Sequence, residues 1–157
     1  MGTGKTVVAK ILSQRLKREF VEMDEVIEKE TGKPIAKIFA EDGEPHFRTL
    51  EKKLLRELAQ RSDLIVSCGG GLICDEENFK LLKESGAIFN LRARPQTIYQ
   101  RTKDKDIRPL LNVRDPLEKI KDLLKQRKPF YEKADYSLDT DEDTPEEVAD
   151  KITQLLK

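Results

Sequence analysis

Gly2-Thr3-Gly4-Lys5-Thr6 heads a run in which Val7, Val8, Ile11, Leu12 and Leu16 recur at helical spacing. Those five residues fit the end of a Gly-x-x-x-x-Gly-Lys-Thr phosphate loop. Glycines there let backbone N–H groups crowd around phosphate oxygens, and the helix N-terminus adds positive potential. Lys5 would reach the β and γ phosphates of a nucleotide and the Thr6 hydroxyl would ligate Mg²⁺. The first glycine of the pattern would lie two positions before Met1, so five residues alone also suit an ordinary amphipathic helix.

Other residues of reactive type follow at intervals. Glu22-Met23-Asp24 closes an apolar stretch, where carboxylates could hold a metal-bound water or a substrate hydroxyl, or simply start a solvated helix. In Gly43-Glu44-x-x-Phe47-Arg48-x-x-Glu51, Arg48 and Glu51 fall one turn apart. They suit a carboxylate clamp with a braced arginine, or an ordinary helix ion pair. Gly69-Gly70-Gly71 follows a buried apolar run, and three glycines together point to close approach of a ligand. Arg108-Pro109-Leu110-Leu111 and Arg127-Lys128-Pro129-Phe130-Tyr131 carry arginines that, taken singly, would be surface charge. His46, the one histidine, reads as a surface residue rather than a base.

Positioning these groups requires alternating strands and helices. Phe20–Met23, Asp63–Ser67, Ala87–Leu91 and Tyr136–Asp139 read as strands, the second and third as buried ones. Helices are expected after Lys5, through Val26 and Ile27, through Ile35 to Phe39, from Phe47 to Leu58, and around Phe79 and Leu82 up to Gly86. Pro95 opens another through Ile98 and Arg101. Asp115-Pro116 starts the next, with Leu117, Ile120, Leu123 and Leu124. Thr144-Pro145-Glu146-Glu147 supplies a capping box for a last helix with Val148, Ile152 and Leu155 inward. Lys103–Arg114, charged and weakly periodic, reads as a mobile loop. The pattern is that of an α/β domain around a mainly parallel sheet.

Composition narrows the class. The chain has 157 residues, with 30 basic and 30 acidic side chains giving zero net charge, which argues against binding nucleic acid through bulk charge. No apolar run is long enough for a membrane helix, and no secretory leader is visible. Cys68 and Cys74 lack CxxC spacing and are expected as two reduced thiols in a cytosolic protein.

Together and in this order, the phosphate loop, the acidic pair, the Gly-Glu-x-x-Phe-Arg-x-x-Glu segment, the triple glycine, Arg-Pro-Leu-Leu and Arg-x-Pro-x-Tyr resemble shikimate kinase over essentially the whole chain. The resemblance implies a three-layer, parallel-sheet P-loop kinase fold in one domain over 1–157. A substrate-binding segment would span about 24–60 and a lid about 103–114. It implies that Asp24, Arg48, Gly69, Gly70, Gly71 and Arg127 hold shikimate, both arginines on its carboxylate and Asp24 near the acceptor hydroxyl. Gly2, Thr3, Gly4, Lys5 and Thr6 would hold ATP and magnesium, and Arg108 would meet the transferring phosphoryl group. Arg101 would stack on adenine, with Pro145 facing it. Glu22 stands where the family usually has aspartate, which places its contact with magnesium, through water, in question. The expected reaction is phosphorylation of the 3-hydroxyl of shikimate by a cytoplasmic monomer. The alternatives are a gluconate-type small-molecule kinase or a non-catalytic nucleotide- or shikimate-binding module. In the implied five-stranded sheet the central strand would precede the phosphate loop, so this chain is expected to leave a slot between Leu64–Val66 and Ile88–Leu91.

Overall fold

The computed structural model describes residues 2–104 and 109–157. Its first helix, α1 (Lys5–Leu16), begins at Gly4, which takes φ 85°, and stops where Lys17 turns left-handed at φ 53°. Strand β1 (Glu19–Glu22) leads into α2 (Met23–Thr31), α3 (Ile35–Glu41) and α4 (Glu44–Leu58), then β2 (Leu64–Ser67). A short 3-10 turn at Leu72–Cys74 precedes α5 (Glu76–Ser85), β3 (Phe89–Arg92) and α6 (Pro95–Thr102). Past a second 3-10 turn at Pro109–Leu111 come α7 (Pro116–Tyr131), β4 (Tyr136–Asp139) and α8 (Pro145–Leu155). Local chemistry explains several of these starts. Asp115 accepts from the Glu118 N–H to cap α7, and Thr144 and Glu147 form a reciprocal capping box on α8.

All strand pairing is parallel. Glu19 to Glu22 lie opposite Leu64 to Ser67, and Phe89 to Arg92 lie opposite Tyr136 to Asp139. Two cores flank the strands. One joins Val21 of β1 and Leu64 of β2 to Met23, Ile27, Ile38, Phe47, Leu54 and Leu72 from α2, α3, α4 and the first 3-10 turn. The other joins Val8 and Leu12 of α1 to Val148, Ala149 and Ile152 of α8, with Ile65, Phe89, Leu91 and Leu138 packed on it. Strands β2 and β3 therefore share a helical cover without pairing with each other among the described residues.

That arrangement corrects the expectation of two buried strands. Val66 is 36% exposed, and every described residue of β3 keeps some solvent contact. Among the described residues each strand has one hydrogen-bonded strand neighbour. Leu155, expected inward, is 42% exposed, and Val7, one of the apolar positions at helical spacing, is 51% exposed. On α1 the buried face is Val8, Ala9 and Leu12, and Val7 sits about 100° around the helix from Val8. Leu155 falls in the last turn of α8, beyond Ile152.

Candidate active site

The N-terminus of α1 is prepared for an anion. Its first turn contains no acidic residue and no side chain caps it, so its leading N–H groups have no internal claimant. Gly2 at φ 62° and Gly4 at φ 85° hold a path that L side chains resist, and a Cβ on Gly2 would lie 2.8 Å from Thr102 Cγ2. Thr3 is buried, and its Oγ1 has no hydrogen-bond partner among the described residues. Lys5 forms no ion pair among the described residues, so its charge is unspent. Thr6 Oγ1 donates to Glu22 Oε2 at 2.7 Å, joining the first turn of α1 to the end of β1.

A second constellation forms where α4 and α7 meet the glycine run. Arg48 donates to Glu51 Oε2 at 2.5 Å and to Glu44 Oε1 at 2.9 Å. Glu51 is only 1% exposed and its Oε1 has no partner among the described residues. Burial pushes the Glu51 carboxyl above its usual range and Arg48 pulls it back; Asp24 and Arg127 act on it in opposite senses. The glycines pack hard against these groups. A Cβ on Gly69 would lie 2.8 Å from Glu51 Oε1, on Gly70 2.5 Å from Tyr131 Oη and 3.2 Å from Arg127 Nη1, and on Gly71 2.6 Å from Arg48 Nη2. A side chain at any of the three would force Glu51, Tyr131 or Arg48 to shift.

Cys68 shows how the two constellations adjoin. Burial pushes its thiol up to about 11, and the charges acting on it are those of Lys5, Glu51, Glu22 and Asp24. Charges of the phosphate loop and of α4 thus both act on one thiol, immediately before the glycine run. Cys74 is also a free thiol, raised by burial and pulled down by Arg127 and Arg48.

A third corner belongs to Arg101. Its guanidinium donates to the Thr140 carbonyl at 2.7 Å, to Thr140 Oγ1 at 3.1 Å and to the Gly2 carbonyl at 3.5 Å. These bonds tie the turn after β4 to the phosphate loop. Pro145 is half-buried at the first position of α8. His46 is exposed, as expected of a surface residue. Arg108 lies outside the described residues.

Sequence reasoning left Tyr131 and Thr140 without roles. Tyr131 Oη donates to the Gly70 carbonyl at 2.9 Å. The four-residue spacing from Arg127 to Tyr131, one helical turn, was the available signal. Nothing in the sequence marks Thr140.

The sequence profile of the shikimate kinase family matches residues 1–157. This chain belongs to the shikimate kinase family. A shikimate kinase of Thermodesulfovibrio yellowstonii is 47% identical over 152 residues, covering 97% of this chain and 88% of the relative. One of Pelotomaculum thermopropionicum is 46% identical over 157 residues, covering 100% and 91%. Among solved structures, a shikimate kinase from Acinetobacter baumannii in complex with shikimate superimposes with a TM-score of 0.96 at 41% identity, covering 99% of this chain and 88% of that one. The family's α/β P-loop kinase fold is therefore the fold of this chain, with helices on both faces of parallel strands.

The donor set beside the phosphate loop suits magnesium. Among the described residues no group of three or more His, Cys, Asp or Glu could hold a metal ion alone. A hydroxyl and one carboxylate 2.7 Å apart are hard oxygen donors, and Mg²⁺ is commonly held by one or two such groups together with substrate phosphates and water.

Proposed function

We propose that this chain transfers the γ-phosphoryl group of ATP to the 3-hydroxyl of shikimate, giving shikimate 3-phosphate for aromatic amino-acid biosynthesis. The observation that carries the reading is the convergence of Arg48 and Arg127 on Gly70 and Gly71, with buried Glu51 behind them. Two guanidinium forks on one glycine-lined surface suit a small hydroxylated carboxylate better than a nucleobase. The shikimate-bound relative from Acinetobacter baumannii, so similar in fold, supports the same choice.

In this proposal Arg48 and Arg127 grip the carboxylate of shikimate, the Gly69–Gly71 backbone lies along its ring, and Asp24 meets the acceptor hydroxyl. The N–H groups of Gly2 to Thr6 and the Lys5 ammonium hold the ATP phosphates. Thr6 and Glu22 would hold Mg²⁺, which supplies charge neutralisation at the phosphate oxygens. Phosphoryl transfer needs little covalent help from protein groups, so alignment and charge dominate. Arg108, in the proposed lid, would add positive charge at the transferring group, and closure would exclude water as a competing acceptor. Arg101 and Pro145 would flank adenine; the Arg101 hydrogen bonds are made at its edge, which leaves the guanidinium plane for stacking. A cytoplasmic monomer is part of the same proposal.

Calorimetric titration tests the division of labour. Arg127→Ala should weaken shikimate binding by the loss of a charge-assisted pair, about 1.5–3 kcal/mol, while ATP binding stays nearly unchanged. Equal loss of ATP affinity would move Arg127 out of the acceptor site.

A further inference from the structure

We propose that Tyr131 is a positioning residue that locks the Arg127 guanidinium to the Gly70 peptide, so that the charged and backbone halves of the acceptor site keep one relative geometry. The inference rests on the proposed acceptor site and adds to it a residue that touches no substrate.

Arg127 and Tyr131 project from one side of α7, four residues apart. The Tyr131 hydroxyl donates to the Gly70 carbonyl at 2.9 Å. A point 1.5 Å or so from Gly70 Cα, where a Cβ would stand, lies 2.5 Å from Tyr131 Oη and 3.2 Å from Arg127 Nη1. Hydroxyl, guanidinium and glycine peptide therefore occupy one contact. Burial pushes the Tyr131 phenol up, and the positive charge of Arg127 opposes that shift. The hydroxyl proton is committed to the Gly70 carbonyl, beside the guanidinium. Tyr131 is thus bonded to the Gly70 peptide at the point where the Arg127 guanidinium also approaches it. Phenylalanine keeps the ring and loses the hydroxyl, leaving the Gly70 carbonyl without its donor and the Arg127 guanidinium without the group that shares its contact with Gly70.

Tyr131→Phe should raise the shikimate KM about three- to tenfold, the range expected for one neutral hydrogen bond. Its kcat should stay within about twofold, and its ATP KM should not move. In an Arg127→Ala background the same change should add almost nothing, because the group it positions is gone. Gly70→Ala reaches the same hydroxyl from the other side, so it should raise the shikimate KM too, and it reads the coupling even if Tyr131→Phe fails to fold. A full KM effect of Tyr131→Phe in the Arg127→Ala background would overturn the inference. So would a fall in kcat and melting temperature with unchanged KM, the mark of a purely structural tyrosine. If Arg127→Ala raises KM and neither Tyr131→Phe nor Gly70→Ala does, the positioning role fails and the acceptor site stands. A wild-type chain without shikimate-dependent turnover would defeat both.

Discussion

Removing Arg48 should damage stability and acceptor binding by separable routes. Arg48 has three partners, and their magnitudes differ. The Glu44 pair is exposed, with 46% of the glutamate side chain in solvent, and such a helix pair is worth about 0.3–0.5 kcal/mol. The guanidinium over the Phe47 ring, 5.3 Å from its centre, adds about 0.5–1 kcal/mol. Glu51 dominates. Breaking a buried pair by deleting one partner costs about 3–5 kcal/mol. Here Glu51 is 1% exposed but Arg48 keeps 29% of its side chain in solvent, so about 2–4 kcal/mol is the discounted expectation. For a domain of this size each kcal/mol moves the melting temperature by roughly 2–4 °C, so Arg48→Ala should melt about 5–15 °C lower at pH 8.

The pH dependence follows from Glu51. Its carboxyl is already raised above 4.5 by burial, and removing Arg48 takes away the counteracting charge and hydrogen bond, raising it further. A carboxyl raised in the folded state contributes its full stability below its unfolded pKa and loses it as pH climbs through the folded value. The Arg48→Ala deficit should therefore be smaller at pH 5 than at pH 8. Adding Glu51→Gln should recover much of the loss and flatten that dependence, while shikimate binding stays weak in the double variant. Thermal melts at both pH values and calorimetry with shikimate read all of this. An equal deficit at both pH values, unrelieved by Glu51→Gln, would refute the buried-pair argument.

Two further outcomes are expected. Arg108→Ala should lower kcat more than it raises the shikimate KM, since a lid arginine acts on charge in the transition state; steady-state kinetics with the reverse pattern would place it in the ground-state clamp. Raised from 9.0 to about 11, the half-buried Cys68 thiol contributes stability that is fully present below pH 9 and lost as pH rises through 11, on the order of 2 kcal/mol. Denaturant unfolding should show Cys68→Ala flatter than the parent between those pH values, and parallel curves would contradict the burial.

Most elements were legible because their signals are local. Capping groups at Asp115 and Thr144 placed the starts of α7 and α8, and Gly86 placed the end of α5. The Arg48–Glu51 pair and the glycine run were legible as chemistry because residue type and spacing suffice for a one-turn contact. Burial of β2 and β3 was misjudged from apolarity alone. Exposure there depends on which strands pair, a long-range property, and Val66 looks the same in sequence with or without a neighbour. Tyr131 and Thr140 escaped for a similar reason: their partners, Gly70 and Arg101, lie 61 and 39 residues away. The aspartate-to-glutamate departure at Glu22 was visible, but its direct bond to Thr6 depends on how far β1 carries the longer side chain.

The account stands most directly on acceptor-dependent turnover. ADP release by the complete chain with ATP and Mg²⁺ should be followed over shikimate, gluconate and nucleoside monophosphates, with the product identified by phosphorus NMR. The prediction is stimulation by shikimate above every other acceptor, with a single new phosphoester on its 3-hydroxyl. Faster turnover with gluconate or a nucleotide, or ADP release accompanied only by free phosphate, would contradict it.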